Sequence, residues 1–142
     1  MIQKFALFVA AFCLVSVMAV PMPAQSFSVK ANVPFAFVVA GKTMPAGEYA
    51  LDNEVPAVTA VRLRNLDSRE ATFASTNPAG GGMAAHPAEL VFHRYGNQYF
   101  LSQVWSGDSS TGIDIQTSRD ERNMAKETAG IQPENVVILA MR

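Results

Sequence analysis

Two histidines, His86 and His93, are the only imidazoles in the chain. Acid–base chemistry near neutral pH falls first to them. His93 stands in Leu90-Val91-Phe92-His93-Arg94-Tyr95, with Glu89 shortly before it and Ser102 on the next extended run. A histidine with a serine and an acid is the raw material of nucleophilic catalysis, because the base takes the hydroxyl proton and the acid orients the base. Against that reading, no Gly-X-Ser-X-Gly elbow occurs. A flat sheet face also rarely supplies the oxyanion donors such chemistry needs. A hydrogen-bonded structural role is the commoner fate of a strand histidine.

Metal and phosphate chemistry find less support. There is no His-X-His, no His-Glu-X-X-His and no cysteine pair, so no zinc spacing exists. Gly80-Gly81-Gly82 lacks the Lys-Ser or Lys-Thr pair and the immediate helix of a phosphate loop, and it reads as a surface loop. No cofactor is expected. The remaining candidates form a ligand-binding set: His93, Arg94, Tyr95, Tyr99, Gln103 and Trp105, which mix aromatic walls with polar groups. The competing reading is that these rings fill a core, as strand aromatics usually do.

Most of these residues lie in one predicted hairpin. Glu89–Tyr95 and Gln98–Trp105 flank Gly96-Asn97, with glycine where a type II′ turn wants it. A regular two-residue hairpin pairs Phe92 with Leu101, Arg94 with Tyr99, His93 with Phe100 and Tyr95 with Gln98. It also pairs Leu90 with Gln103 and Val91 with Ser102. Both faces are bulky, so the hairpin is expected inside the sheet, with a cation–π contact between Arg94 and Tyr99.

Around it the chain reads as short strands separated by turns. Val29 and Ala31 share a face, and Pro34 interrupts the run. Phe35, Phe37 and Val39 alternate with Ala36, Val38 and Ala40, which predicts a strand covered on both sides. Gly41-Lys42 and Pro45-Ala46-Gly47 are turns, after which Tyr49 and Leu51 share a face. Ala57–Leu66 alternates as a half-exposed strand, and Ala71–Ser75 is a short strand around Phe73. Asn77–Pro87 and Gly107–Gly112 read as loops. Ser118-Arg119-Asp120-Glu121 is a capping box that opens a surface helix ending at Gly130, with Glu121 reaching back to the cap. Its Arg119-Asp120-Glu121-Arg122 run reads as a solvated face. Val136–Met141 is the final strand. About seven strands and one late helix predict a mainly β fold, an antiparallel sandwich or small barrel rather than a βαβ fold.

The N-terminus carries one charge, Lys4, and then an apolar run from Phe5 to Val20. It is followed by Pro21, Pro23, Ala24 and Ser26, the pattern of a secretory signal peptide. Residues 1–26 are assigned to the signal, with cleavage after Ser26 and the near alternative after Ala24. Residues 27–142 then form a single β-rich domain. Cys13, the only cysteine, follows Phe12 rather than a small residue, which rules against lipidation. Its removal leaves a disulfide-free chain bound for an oxidising, periplasmic or secreted setting. After Ser26 the chain has ten Lys and Arg against twelve Asp and Glu, a formal charge of −2. That balance gives no reason to expect nucleic acid, and no membrane span is expected in the mature chain.

Several blocks are familiar together: Ala31-Asn32-Val33-Pro34-Phe35 with Phe37, then Pro45-Ala46-Gly47-Glu48-Tyr49, then Leu90-Val91-Phe92-His93-Arg94-Tyr95-Gly96 with Tyr99-Phe100-Leu101-Ser102-Gln103-Val104-Trp105. With them the chain resembles a family of small secreted bacterial proteins of unknown function, abundant in soil acidobacteria. The resemblance covers nearly all of the mature chain. It implies export and a β-rich fold, and it implies no activity. The expected function is therefore a non-enzymatic binding or structural module of the cell envelope or exterior, its partner an envelope protein or a small molecule. The alternatives are a small-ligand-binding β barrel and a hydrolase on a β scaffold using His93.

Overall fold

The computed structural model describes residues 28–53, 59–80, 86–107 and 112–141. The signal segment, Ala57 and Val58, Gly81 and Gly82, and most of the Gly107–Gly112 loop lie outside these residues.

The described chain forms ten strands and one helix, more strands than the seven or so expected. They are β1 (Ser28–Val33), β2 (Phe37–Val39), β3 (Lys42–Met44), β4 (Gly47–Asp52), β5 (Ala60–Asn65), β6 (Ala71–Ala79), β7 (Ala88–Tyr95), β8 (Gln98–Ser106), β9 (Gly112–Ile115) and β10 (Glu134–Leu139), with α1 (Arg119–Glu127) before the last. The fold is mainly β, and all but one of the pairings are antiparallel.

Pairing runs β1-β4-β5-β6-β9-β8-β7-β10. The two ends of that path meet where Lys30 and Met141 exchange both backbone hydrogen bonds at 2.7 Å. The circuit is barrel-like, and closure of this kind spares β1 an open edge there. The β2–β3 hairpin is added outside the circuit, with Val38 of β2 pairing Phe100 of β8 in parallel.

Alternation decides which side of each strand is dry. Val29, Ala31 and Val33 are buried while Ser28, Lys30 and Asn32 are exposed. Tyr49, Leu51, Val61, Leu63, Leu90, Phe92, Leu101 and Val104 join them in one cluster. Near Tyr99, Phe35 stacks on its ring at 3.9 Å and meets Phe92 edge-on at 5.2 Å. The interior is thus lined with packed side chains; of the candidate ligand rings, Tyr99 packs against this cluster while Trp105 belongs to a separate small one.

Two local expectations need correction. β2 is dry on one side only: Phe37 and Val39 are buried but Ala36 and Ala40 are exposed. The strand around Phe73 runs on through Asn77 and Pro78, which had read as loop, because β9 supplies a partner for Thr76–Ala79. Proline is tolerated there since β5 pairs only Ala71–Ser75, so this half of β6 has one neighbour. Phe73 itself is 65% exposed; the buried residue is Ala74.

Candidate functional site

The Gly96-Asn97 turn forms as expected: Gly96 takes φ 59° while Asn97 stays at negative φ, the signature of a II′ turn. From the turn as far as Phe92↔Leu101 the register is the predicted one. Beyond it the prediction fails. Val91 pairs Gln103 and Leu90 pairs Val104, so Ser102 is the extra residue of a β-bulge. Core packing explains the slip: the bulge puts Val104 rather than Gln103 across from Leu90, and both are buried. A bulge also re-aims the side chain it displaces.

Here the re-aimed side chain meets His93. Ser102 Oγ lies 3.0 Å from His93 Nε2. On the other side of the ring, His93 Nδ1 lies 2.7 Å from Glu121 Oε1. An ionised carboxylate only accepts, so Nδ1–H donates to Glu121, and in the neutral imidazole Nε2 then accepts from the Ser102 hydroxyl. The three residues form one hydrogen-bonded row in the order acid, base, hydroxyl. The Glu121 side chain is 7% exposed and that of His93 30%, so the acid is dry while the base reaches solvent. Ser102 is half-buried.

Helix α1 supplies the acid. Ser118 caps it: its Oγ accepts from the Glu121 N–H at 3.1 Å, which is one half of the predicted capping box. The other half does not form, because the Glu121 carboxylate is spent on His93 instead. Sequence reasoning read Glu121 as solvated and looked to Glu89 for an acid. Glu89 instead lies 3.6 Å from His86. Neighbouring Arg119, Asp120 and Arg122 are exposed as expected. Tyr95 lies close enough to feel this charge: burial first, and then the Glu121 carboxylate, push its phenol above the ordinary tyrosine value.

The other proposed ligand residues do not converge on one point. Arg94 reaches Glu134 at 3.2 Å and sits over the Tyr99 ring, 5.6 Å from its centroid. Tyr99 is engaged by Phe35. Gln103 donates to Asp114 Oδ1 at 2.8 Å. Trp105 is buried in a small cluster with Ala79 and Val91, its ring stacked on His86 at 3.9 Å. Arg94 and Tyr99 thus share the core side of the hairpin with Phe92 and Leu101, and His93 and Tyr95 share the other.

A groove of about 460 Å³ lies between the β2–β3 hairpin, the start of β8 and α1. Tyr99, Phe100 and Met124 supply apolar wall, and Asp120, Asn123 and Glu127 of α1 supply polar groups. Phe100 ties the groove to the histidine: it pairs with His93 across the hairpin and precedes Ser102 by two residues, about 7 Å along a strand. Among the described residues, no cluster of three or more histidine, cysteine or acidic side chains is placed to hold a metal. Among the same residues, no helix is long and apolar enough to cross a membrane.

Compared with known proteins, the chain matches no family model, no curated protein and no solved structure.

Proposed function

We propose that this chain is an exported module of the bacterial cell envelope or exterior that binds a small, donor-rich ligand in the groove beside α1. Export rests on Lys4, the apolar run from Phe5 to Val20 and the small residues at Ala24 and Ser26. N-terminal sequencing of the secreted protein tests it. The expected first residue is Phe27, and retention of Met1 would overturn export by cleavage.

The observation that carries the binding reading is the composition of the groove. Two carboxylates, Asp120 and Glu127, and the amides of Asn123 and Gln98 line it beside Tyr99 and Met124. Among the described lining residues none is basic. Carboxylates accept hydrogen bonds and repel anions, so the fitting occupant offers hydroxyl or ammonium donors with an apolar flank. A monosaccharide bearing an amine has this chemistry and this size.

Calorimetric titration with glucosamine, glucose and glucuronate tests the reading. Affinity is expected to fall in that order, and Asp120→Asn with Glu127→Gln should weaken glucosamine by about tenfold, the worth of one ordinary contact. Equal affinity for the three sugars, or no saturable binding at all, would overturn it.

A further inference from the structure

The row Ser102–His93–Glu121 does something the groove does not need. It joins three separate elements, β8, β7 and α1, with each polar atom turned to the partner that acyl transfer requires. We infer that Ser102 is a nucleophile toward carboxylic esters, with His93 as its general base and Glu121 as the positioning residue. This inference stands apart from the groove reading and does not depend on what the groove holds.

Three observations favour chemistry over a strut between helix and barrel. Ser102 is the residue displaced by the bulge, so the one irregularity in the central hairpin is what brings its hydroxyl to His93. The burial gradient also runs the right way. A purely structural tie would favour enclosing all three groups, yet the acid is dry, the base reaches solvent and the hydroxyl is half-buried. Finally, the edge of β8 changes partner around Ser102, from β2 at Phe100 to β9 at Gln103. The oxyanion donors the reaction calls for would have to be backbone amides at that changeover.

The step balances without any added redox partner. Ser102 Oγ attacks the ester carbonyl carbon as its proton passes to His93 Nε2, and Glu121 holds the imidazolium through Nδ1–H. The tetrahedral adduct collapses, the C–O bond to the alcohol breaks, and the alcohol leaves with the proton from Nε2. Water then attacks the acyl-serine, His93 takes its proton and returns it to Ser102 Oγ, and a carboxylic acid is released.

The test is covalent labelling of the purified protein with a fluorophosphonate, read by peptide mass spectrometry, alongside turnover of p-nitrophenyl acetate. A single adduct on Ser102 is expected, absent in Ser102→Ala. His93→Ala should slow both readouts by roughly 10²–10⁴-fold. If His93→Ala does not fold, His93→Gln keeps hydrogen-bonding capacity without a general base and carries the same test. Glu121→Gln, which still accepts from Nδ1–H and so keeps α1 docked, should lower kcat with KM little changed, whereas a merely structural acid would leave kcat of the folded protein unmoved. No Ser102 adduct in folded protein, or one that forms equally fast without the His93 imidazole, would overturn the inference. Ser102 labelling in a protein that shows no saturable sugar binding, or sugar binding in one that takes no Ser102 adduct, separates failure of one reading from failure of the other.

Discussion

Glu121 Oε1 sits 2.7 Å from His93 Nδ1, joining residues 28 apart in sequence and tying α1 to the outward side of the central hairpin. The helix has little else to hold it. Its residues are mostly exposed, Glu121 is the one buried among them, and Met124 and Ala125 are half-buried. The hydrogen bond to His93 is therefore expected to decide whether the helix stays docked.

Glu121→Ala should cost about 1.5–3 kcal/mol, the range for a hydrogen bond to a charged group. Most of the effect should appear as faster amide exchange in Arg119–Glu127 rather than in β7 or β8. Urea denaturation gives the magnitude and hydrogen exchange the location. An unchanged midpoint would show that the helix docks by other means.

Core truncation should separate inside from outside sharply. Phe92, fully buried between Phe35 and Phe37, should cost about 3–5 kcal/mol as Phe92→Ala, and Leu101→Ala about 2–5. Phe73→Ala, at an exposed position, should stay within about 0.5 kcal/mol of the parent. Chemical denaturation of the three variants checks the contrast.

How much was legible depends on the range of the interaction. Tyr49 with Leu51, and Val61 with Leu63, announce their strands because alternation is a property of neighbours. The turn at Gly96 and the cap at Ser118 are equally local. The bulge is not: Leu101-Ser102-Gln103 holds no glycine or proline to mark it, and the slip follows from which side chain must fill the space opposite Leu90. Glu121 was misread for a related reason. Inside Arg119-Asp120-Glu121-Arg122 it looks like one more solvated charge, and only the partner strand across the fold makes it a buried acid. Strand β9 was missed because its four residues are too few for a period to show.

Gly112 is where β9 passes the indole of Trp105. A Cβ built there would lie 2.6 Å from the ring atoms Cδ2 and Cε3, well inside contact distance. Gly112→Ala is expected to cost about 1–3 kcal/mol by overpacking, with a blue-to-red shift in Trp105 emission as the ring is pushed toward solvent. Unshifted emission with unchanged stability would mean that β9 can move aside.

Alkaline stability should report on Tyr49. Burial pushes its phenol above the ordinary value, and a side-chain hydrogen bond from Asn65 pulls the other way but less. The hydroxyl donates to the Pro45 carbonyl, which requires the protonated form. A raised folded-state value means that the unfolded chain loses its proton first. Stability from this group is therefore complete below the unfolded value of about 10, and it is lost as pH rises from there through the folded value. Tyr49→Phe should start less stable at neutral pH and fall less steeply above pH ~10. Parallel pH slopes for the two proteins would rule out Tyr49 as the source.

The bulge allows the sharpest separation of folding from function. Val91↔Gln103 and Phe92↔Leu101 leave Ser102 without a residue opposite it, so deleting Ser102 restores regular pairing through the whole hairpin. Leu90 still faces Val104, and Phe92 still faces Leu101. Nothing in the core pairing requires the extra residue, and a regular ladder gains what a bulge forgoes. The deletion variant is expected to fold with a melting temperature at or above that of the parent, while His93 Nε2 loses its hydroxyl partner. Nitrogen-15 chemical shifts of the imidazole should register that loss, with Nδ1 still held by Glu121. That outcome would mean the fold does not need the residue, and would leave its hydroxyl as what Ser102 contributes. If the deletion instead unfolds the chain, the bulge is a bend that closes the barrel, and Ser102 sits beside His93 as a consequence of that curvature.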